Sequence, residues 1–195
     1  MKMLQQVSFS PQTIHAVLIK QLEMKKTWES WYEVGGREVR FSMEEFKLIT
    51  GLNCGSDAVI YGKKQKGGKK AMINLFGKPS VTIQDLFDEF KNHREVDYKK
   101  VMLALLIIVE GILLGGDKKR QVNPHHVKLL ENMDLFWKYP WGRVAYMELH
   151  NALTTSLSRR MQTATSSESN RRVPYSLQGM PVVFQVWRNF CCSLE

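Results

Sequence analysis

The sequence lacks a long uninterrupted apolar run. Its most apolar stretch, residues 101–114, contains Glu110 and Gly111 and is shorter than the roughly 20 residues that an α-helix needs to cross a bilayer. The N-terminal segment MKMLQQVSFSPQ has no continuous apolar core of the kind that a secretory signal peptide contains. We therefore expect no membrane-spanning segment and no signal peptide, and we interpret residues 101–114 as a buried helix.

Cysteine is also scarce. The chain has Cys54, Cys191 and Cys192, an odd number of which two are adjacent, and this is not the pattern of a disulfide framework. An intracellular, reducing location follows most simply. A cysteine protease would need a thiolate beside a histidine that an acid or amide orients, but no histidine follows His150. We predict that the cysteines are packing residues and not nucleophiles.

The sequence has no clear metal or phosphate motif. A zinc site needs about four ligands at suitable spacing, whereas the histidines are scattered, and the two adjacent ones would point to different sides of a helix. The lysine-rich run has glycines but no Gly-Lys-Ser or Gly-Lys-Thr ending, so it is not a phosphate loop. We predict no catalytic residue, no metal, no cofactor and therefore no enzyme. The histidines are His15, His93, His125, His126 and His150.

What is present is an ordinary globular composition with an uneven charge. The 195 residues are 44% hydrophobic and 24% charged, which suits one domain with a real core. The formal net charge of +9 comes from two segments, residues 62–78 and 159–172, and the rest of the chain is neutral. The residues of interest in these segments are Lys63, Lys64, Lys66, Lys69, Lys70, Arg159, Arg160, Arg171 and Arg172.

Both basic segments have the composition of loops. A solvated loop is one interpretation, and contact with a nucleic acid or another acidic partner is the other. Nuclear import is a further role that the lysine run could serve. The sequence leaves these alternatives open.

The clearest local pattern is a hairpin followed by a helix. Residues 28–41 predict two short strands joined by Gly35-Gly36, which supply the positive φ angles of a two-residue turn. Ser42 is a good N-cap, and Glu45 three residues later completes a capping box. Gly51 ends that helix.

The remaining pattern is helical, with Asn123 as the cap and Pro124 as the first residue of one helix, and we predict a mainly α fold. We expect a single domain of about six helices with one small antiparallel β-hairpin, in which the helix at residues 97–114 is surrounded by others. Residues 1–157 form the helical domain, and residues 158–173 form a mobile linker because they are almost free of apolar side chains. Residues 174–195 form a last helix of the same domain.

Trp141 and Arg143 form a further candidate site, in the segment YPWGR. Tryptophan is enriched at interaction hot spots, so the two side chains could form an exposed recognition patch. Alternatively, Trp141 anchors the start of its helix in the core, and Arg143 pairs with an acid such as Glu110 or Glu148. Both interpretations are compatible with the sequence.

Four segments of the chain resemble one known family in content and order. They are similar to the plant domain of unknown function found on the N-terminal side of proteins related to SUMO-specific cysteine proteases, many of which look like products of transposable elements. The resemblance covers about residues 28–187. The segments are VGGREVRFSMEEFKLITGLNCG (34–55), LALLIIVEGILLGGDKK (103–119), YPWGRVAY (139–146) and YSLQGMPVVFQVW (175–187).

The resemblance implies a non-catalytic accessory domain in the nucleus that contacts an unknown protein partner. It implies no chemistry, because the family has none that can be carried over. In the family the last helix continues towards a Glu and a Pro and a protease domain often follows, whereas here RNFCCSLE follows Trp187. We therefore expect a truncated end and no protease domain. Nucleic-acid binding through loops 62–78 and 159–172 is the alternative function.

Overall fold

The computed structural model describes residues 10–22, 28–55, 67–164 and 177–193, and of residues 156–164 it describes the backbone alone. Within these ranges the chain is mainly α-helical with one antiparallel hairpin, which confirms the predicted fold class. The elements are α1 (Pro11–Leu18), β1 (Glu29–Val34), β2 (Arg37–Ser42), α2 (Met43–Thr50), α3 (Gly68–Phe76), α4 (Ile83–Asn92), α5 (Tyr98–Leu106), a π-helix (Ile107–Leu113), α6 (Pro124–Leu130), α7 (Met133–Lys138), α8 (Trp141–Ala164) and α9 (Pro181–Cys192).

The described ranges therefore contain nine α-helices, more than the six or so expected, because α3 lies in a predicted loop and α7 is a separate short helix after α6. The chain falls into two compact units. The hairpin unit comprises the residues up to Leu52 and those from Tyr146 onward, and the middle unit comprises Asn53–Ala145. The sequence alone suggested divisions at residues 157 and 173 instead.

The hairpin forms as predicted. Val34 pairs with Arg37 across a two-residue turn, in which Gly35 and Gly36 have φ angles of 59° and 75°. Both values lie in the left-handed region, where a residue without a Cβ has no steric cost. The turn chemistry therefore fixes the strand register of the hairpin.

The helix after the hairpin has both of its predicted ends. The Ser42 hydroxyl accepts from Glu44 N–H at 3.1 Å, and the Glu45 carboxylate accepts from Ser42 N–H at 2.7 Å. These bonds make the capping box, which satisfies backbone donors at the helix start. Gly51, with φ 68°, ends α2.

The core of the hairpin unit is aromatic. Tyr32 of β1 and Phe41 of β2 each lie with their ring centroids 5.1 Å from that of Phe184 on α9. Trp187, one turn further along α9, lies 5.1 Å from Phe41. Phe41 also meets Tyr146 at 6.0 Å. These are tilted and edge-to-face contacts of the kind that aromatic rings prefer.

Helix α3 corrects the prediction that residues 62–78 form a loop. Its first turn packs against the start of α6, and a Cβ on Gly68 would lie 2.7 Å from the carbonyl oxygen of Pro124. The close approach therefore requires glycine, while Ala71 and Met72 are buried beneath the helix. Gly68 therefore marks tight packing, within a segment whose composition suggested a loop.

The helix predicted at residues 97–114 is divided and is not surrounded. Helix α5 ends at Leu106, and the wider π-helix follows directly. Leu103, Leu106 and Val109 are buried, but Val101 and Ile112 are 48% and 58% exposed. Residues 97–114 carry apolar side chains on all sides, but the structure buries only some of those sides.

Helix α8 extends beyond the predicted end of the helical domain. It includes residues 158–164, which the sequence assigned to the linker, because polar residues without Gly or Pro do not by themselves end a helix. The rest of the predicted linker, residues 165–173, lies outside the described residues. In the described part of the chain, no helix combines the length and apolar content needed to span a membrane.

Candidate functional site

A buried polar pair lies at the centre of the middle unit. Glu110 of the π-helix and His126 of α6 are 0% and 3% exposed. Glu110 Oε1 lies 2.8 Å from His126 Nδ1 and accepts the Asn123 N–H at 2.9 Å. Buried charges and polar groups are costly unless they are paired in this way. The pair therefore ties the π-helix to the first turn of α6.

Local sequence positions both partners. Asn123 caps α6 by accepting from His125 N–H at 3.0 Å, as predicted, and Pro124 takes the first helical position. On the other side, Gly116 N–H donates to the Glu110 carbonyl at 2.9 Å. A Cβ on Gly116 would lie 2.7 Å from that same oxygen, so the chain can return this closely only through glycine.

Aromatic side chains enclose His126. Its ring centroid lies 5.1 Å from that of Trp141, and the Tyr139 and Trp141 centroids are 4.5 Å apart. The Trp141 indole N–H donates to the Phe136 carbonyl at 2.8 Å. The rings are in contact with one another, so this cluster is packed and does not form a cage around a ligand.

This geometry favours a structural role for the pair. Among the described residues, Glu110 Oε2 is buried without a hydrogen-bond partner, and both Glu110 and His126 are shielded from solvent. The pair can hold two helices in a fixed register. The sequence contained one signal for it, a single acid within an otherwise apolar run, because such a residue must find a partner in the interior.

The most unusual surface of the middle unit is an apolar stripe along α5 and the π-helix. Its four side chains recur at helical spacing on one side and are about half exposed or more. We call this surface the exposed stripe; it consists of Tyr98 (58%), Val101 (48%), Ile108 (45%) and Ile112 (58%).

The predicted basic site is only partly within the described residues. Lys69 and Lys70 lie side by side in the first turn of α3, and both are exposed. Arg159 and Arg160 lie on α8, of which the backbone alone is described there. Lys63, Lys64, Lys66, Arg171 and Arg172 lie outside the described residues.

Trp141 and Arg143 lie within the packing of the middle unit. Trp141 is 7% exposed. The Arg143 guanidinium donates to the carbonyls of Gly55 and Cys54 at 2.8 and 3.0 Å. In the described contacts it therefore binds backbone carbonyls, where the sequence suggested an acid. Arg143 fixes the segment that follows α2, and the two side chains do not form an exposed patch.

Within the described residues, no hydrogen bond joins a cysteine thiol to the His150 ring. Cys54 is buried, and burial, followed by the neighbouring Cys192, raises the pKa of the Cys191 thiol. His150 is 3% exposed, and in the part of the chain that the structure describes neither of its ring nitrogens has a hydrogen-bond partner. Burial lowers the pKa of the His150 imidazole, so the folded protein favours its neutral form.

Comparisons with known proteins give a family and no chemistry. No curated protein and no solved structure matches the chain. The model of one protein family, described as "Domain of unknown function (DUF1985)", matches residues 18–152. That range includes the whole middle unit and, in the hairpin unit, β1, β2 and α2, but not α9. The chain belongs to the DUF1985 family.

Proposed function

We propose that the chain is a non-catalytic accessory domain that binds a protein partner. The exposed stripe is the observation that carries this proposal. Single exposed apolar residues are ordinary, but several on one side of one helix are typical of interaction surfaces. The buried Glu110–His126 pair supports the proposal, because it fixes the π-helix that presents Ile108 and Ile112.

The resemblance to plant SUMO-protease-like proteins extends the proposal. In that setting the domain acts in the nucleus beside a separate protease, within proteins related to transposable elements. The domain then contributes protein contact or targeting, and the catalysis belongs to the protease.

Paired variants test the role of the exposed stripe. The double variant Ile108→Glu, Ile112→Glu places charges in the stripe, and Leu48→Glu is the matched control, because Leu48 on α2 is 83% exposed and lies outside the stripe. Proximity labelling in plant nuclei would identify candidate partners, and titration calorimetry with each purified candidate would follow. We expect affinity to fall by about 100-fold in the double variant, since a charge buried at an interface without a partner costs several kcal/mol.

The control should bind like the natural chain, and binding should change little with salt. If the double variant bound every partner of the natural chain in full, the proposed surface would be refuted.

Nucleic-acid binding is the second candidate function. The exposed Lys69 and Lys70 at the start of α3 favour it. Phosphate contacts weaken steeply as salt rises, so DNA and RNA titrations at low and physiological salt distinguish it from an apolar interface. We expect a variant with glutamine at Lys63, Lys64, Lys66, Lys69 and Lys70 to lose all binding under this hypothesis.

The control for that titration replaces the exposed Lys91, Lys118 and Lys119 by glutamine. Equal loss in both variants would mean that the net charge acts without a localised site. An absence of binding at low salt would remove this second function.

A further inference from the structure

Three metal-ligating side chains converge in the loop between α4 and α5. His93, Glu95 and Asp97 each offer one ligand atom, and these atoms all lie within 4.8 Å of one another. His93 and Asp97 have extended backbone, with ψ angles of 100° and −177°. The chain bends at Glu95 and again at Asp97, and these bends bring together side chains that a fully extended chain would hold about 13 Å apart.

We propose that His93, Glu95 and Asp97 bind one divalent first-row transition-metal ion. This inference is independent of the proposed partner binding. One imidazole nitrogen and two carboxylate oxygens form a donor set that suits Mn²⁺, Co²⁺, Ni²⁺ and Zn²⁺. Three protein ligands leave the remaining coordination positions to water.

The spacing of the donor atoms selects among these ions. His93 Nε2 lies 2.8 Å from Asp97 Oδ1. Two ligands with bonds of about 2.1 Å are about 3.0 Å apart at the right angles of an octahedron, and about 3.4 Å apart at tetrahedral angles. The observed 2.8 Å is the length of a hydrogen bond, so the two atoms would move apart on binding either kind of ion, and the octahedral arrangement requires the smaller movement. Metal binding would replace the hydrogen between the two atoms and place the imidazole proton on Nδ1.

The charges around the loop support a cation there. Glu95 and Asp97 are carboxylates, and two like charges this close disfavour each other unless a cation lies between them. The Lys99 ammonium pairs with Glu89 at 2.7 Å. Lys100 lies beside the cluster: its ammonium donates to the His93 carbonyl at 2.8 Å, and its backbone N–H donates to Asp97 Oδ1 at 2.9 Å. Among the described residues, no lysine or arginine pairs with Glu95 or Asp97.

The site has a structural consequence for the loop. His93 is the C-cap of α4 and Asp97 is the N-cap of α5. One ion held by both residues would join the end of one helix to the start of the next. Metal binding is then linked to folding, and the free energy of unfolding rises with the concentration of free ion.

Calorimetric titration of the untagged full chain with Ni²⁺ tests the proposal. We expect one ion per chain, and we expect the variants His93→Asn, Glu95→Gln and Asp97→Asn each to weaken binding by at least about tenfold. Asp97→Asn retains a good N-cap, so it separates loss of a ligand from loss of the helix. The matched control is Asp88→Asn, because Asp88 is an exposed acid on α4.

The outcomes are distinguishable. The Co²⁺ form should show the weak visible absorption of octahedral coordination, and Ni²⁺ should raise the thermal midpoint of the natural chain but not of Asp97→Asn. Circular dichroism establishes that each variant is folded. No saturable binding at millimolar Ni²⁺, or binding that folded Asp97→Asn retains in full, would overturn the proposal. Intense tetrahedral Co²⁺ absorption would overturn its octahedral assignment.

Discussion

The two units of this chain build their interiors in different ways. The hairpin unit packs aromatic rings from β1, β2 and α9 against one another. The middle unit encloses Glu110 and His126, and its helix changes from α to π where Glu110 lies. Ring packing tolerates small adjustments of geometry, whereas a buried charged group needs its partner at one distance and one angle. The same chain therefore contains one core specified by volume and one specified by hydrogen bonding.

The largest loss of stability should follow from removing side-chain volume in the core of the hairpin unit. Phe41 is 0% exposed and touches Phe184 and Trp187. We expect Phe41→Ala to lower the free energy of unfolding by about 3–5 kcal/mol, because it removes apolar contact and leaves a cavity. Urea unfolding followed by circular dichroism measures the change. Phe41→Leu, which keeps most of the volume, should lose much less, and equal losses would argue against a core specified by volume.

The next largest loss of stability should follow in the middle unit, from a substitution that replaces the Glu110 carboxyl group without changing the side-chain volume. We expect Glu110→Gln to lower the free energy of unfolding by about 1–3 kcal/mol, because it weakens the bond to His126 and leaves buried polar atoms poorly paired. Hydrogen exchange should show faster exchange at the Asn123 amide, which donates to Glu110. The exposed Glu131→Gln is the control. A fully stable Glu110→Gln protein would show that this core does not depend on the pair.

The two capping boxes allow a matched comparison between the units. Ser42 with Glu45 begins α2, and Thr82 with Asp85 begins α4. We expect Ser42→Ala and Thr82→Ala each to cost about 1 kcal/mol of unfolding free energy. The loss should be larger for Ser42, because that residue is buried, at 6% exposure, and water cannot replace its hydroxyl. Thermal unfolding of both variants checks the order, and a larger loss for Thr82→Ala would reverse our interpretation.

The smallest change in stability should come from a moderate fall in pH below neutral. Burial lowers the pKa of His150 in the folded state, so the unfolded chain, with a His pKa of about 6.5, binds the proton more readily. The free energy of unfolding should be unaffected by this group above about pH 7.5 and should fall as pH drops through about 6.5. Hydrogen exchange as a function of pH would measure this in the hairpin unit.

His150→Leu should remove that loss from the hairpin unit. In the middle unit, burial followed by the charge of His126 lowers the pKa of His125, so some acid sensitivity should remain there. If His150→Leu left the pH dependence of the hairpin unit unchanged, His150 would not be its cause.

The sequence predicted the hairpin unit well because its signals are local. Gly35-Gly36, the Ser42–Glu45 box and Gly51 act within a few residues of themselves, so their geometry follows from their chemistry. The mainly α fold class followed in the same way from helical spacing. The caps at Asn123 and Pro124 in the middle unit also belong to this group.

The middle unit was harder to predict because its determinants are distant in sequence. Gly68 is required by Pro124, and the burial of Glu110 is compensated by His126. Neither partner is visible within a local window, so Gly68 was interpreted as part of a loop, and the Glu110–His126 pair was missed. The exposure of Val101 and Ile112 depends on which neighbours are present, and composition does not report this. The proximity of His93, Glu95 and Asp97 was not predicted either, because it depends on bends of the chain at Glu95 and Asp97.

The π-helix has a consequence for how the chain can change in length. A π-helix takes more residues per turn than an α-helix, so a single-residue deletion within Ile107–Leu113 would let the segment close into an ordinary helix. Such a deletion would turn Glu110 away from His126 and rotate Ile112 relative to Val101. Substitutions here alter one side chain at a time, whereas a change of one residue in length would alter the interior and the surface together. We therefore expect insertions and deletions in this segment to be selected against more strongly than substitutions at its exposed positions.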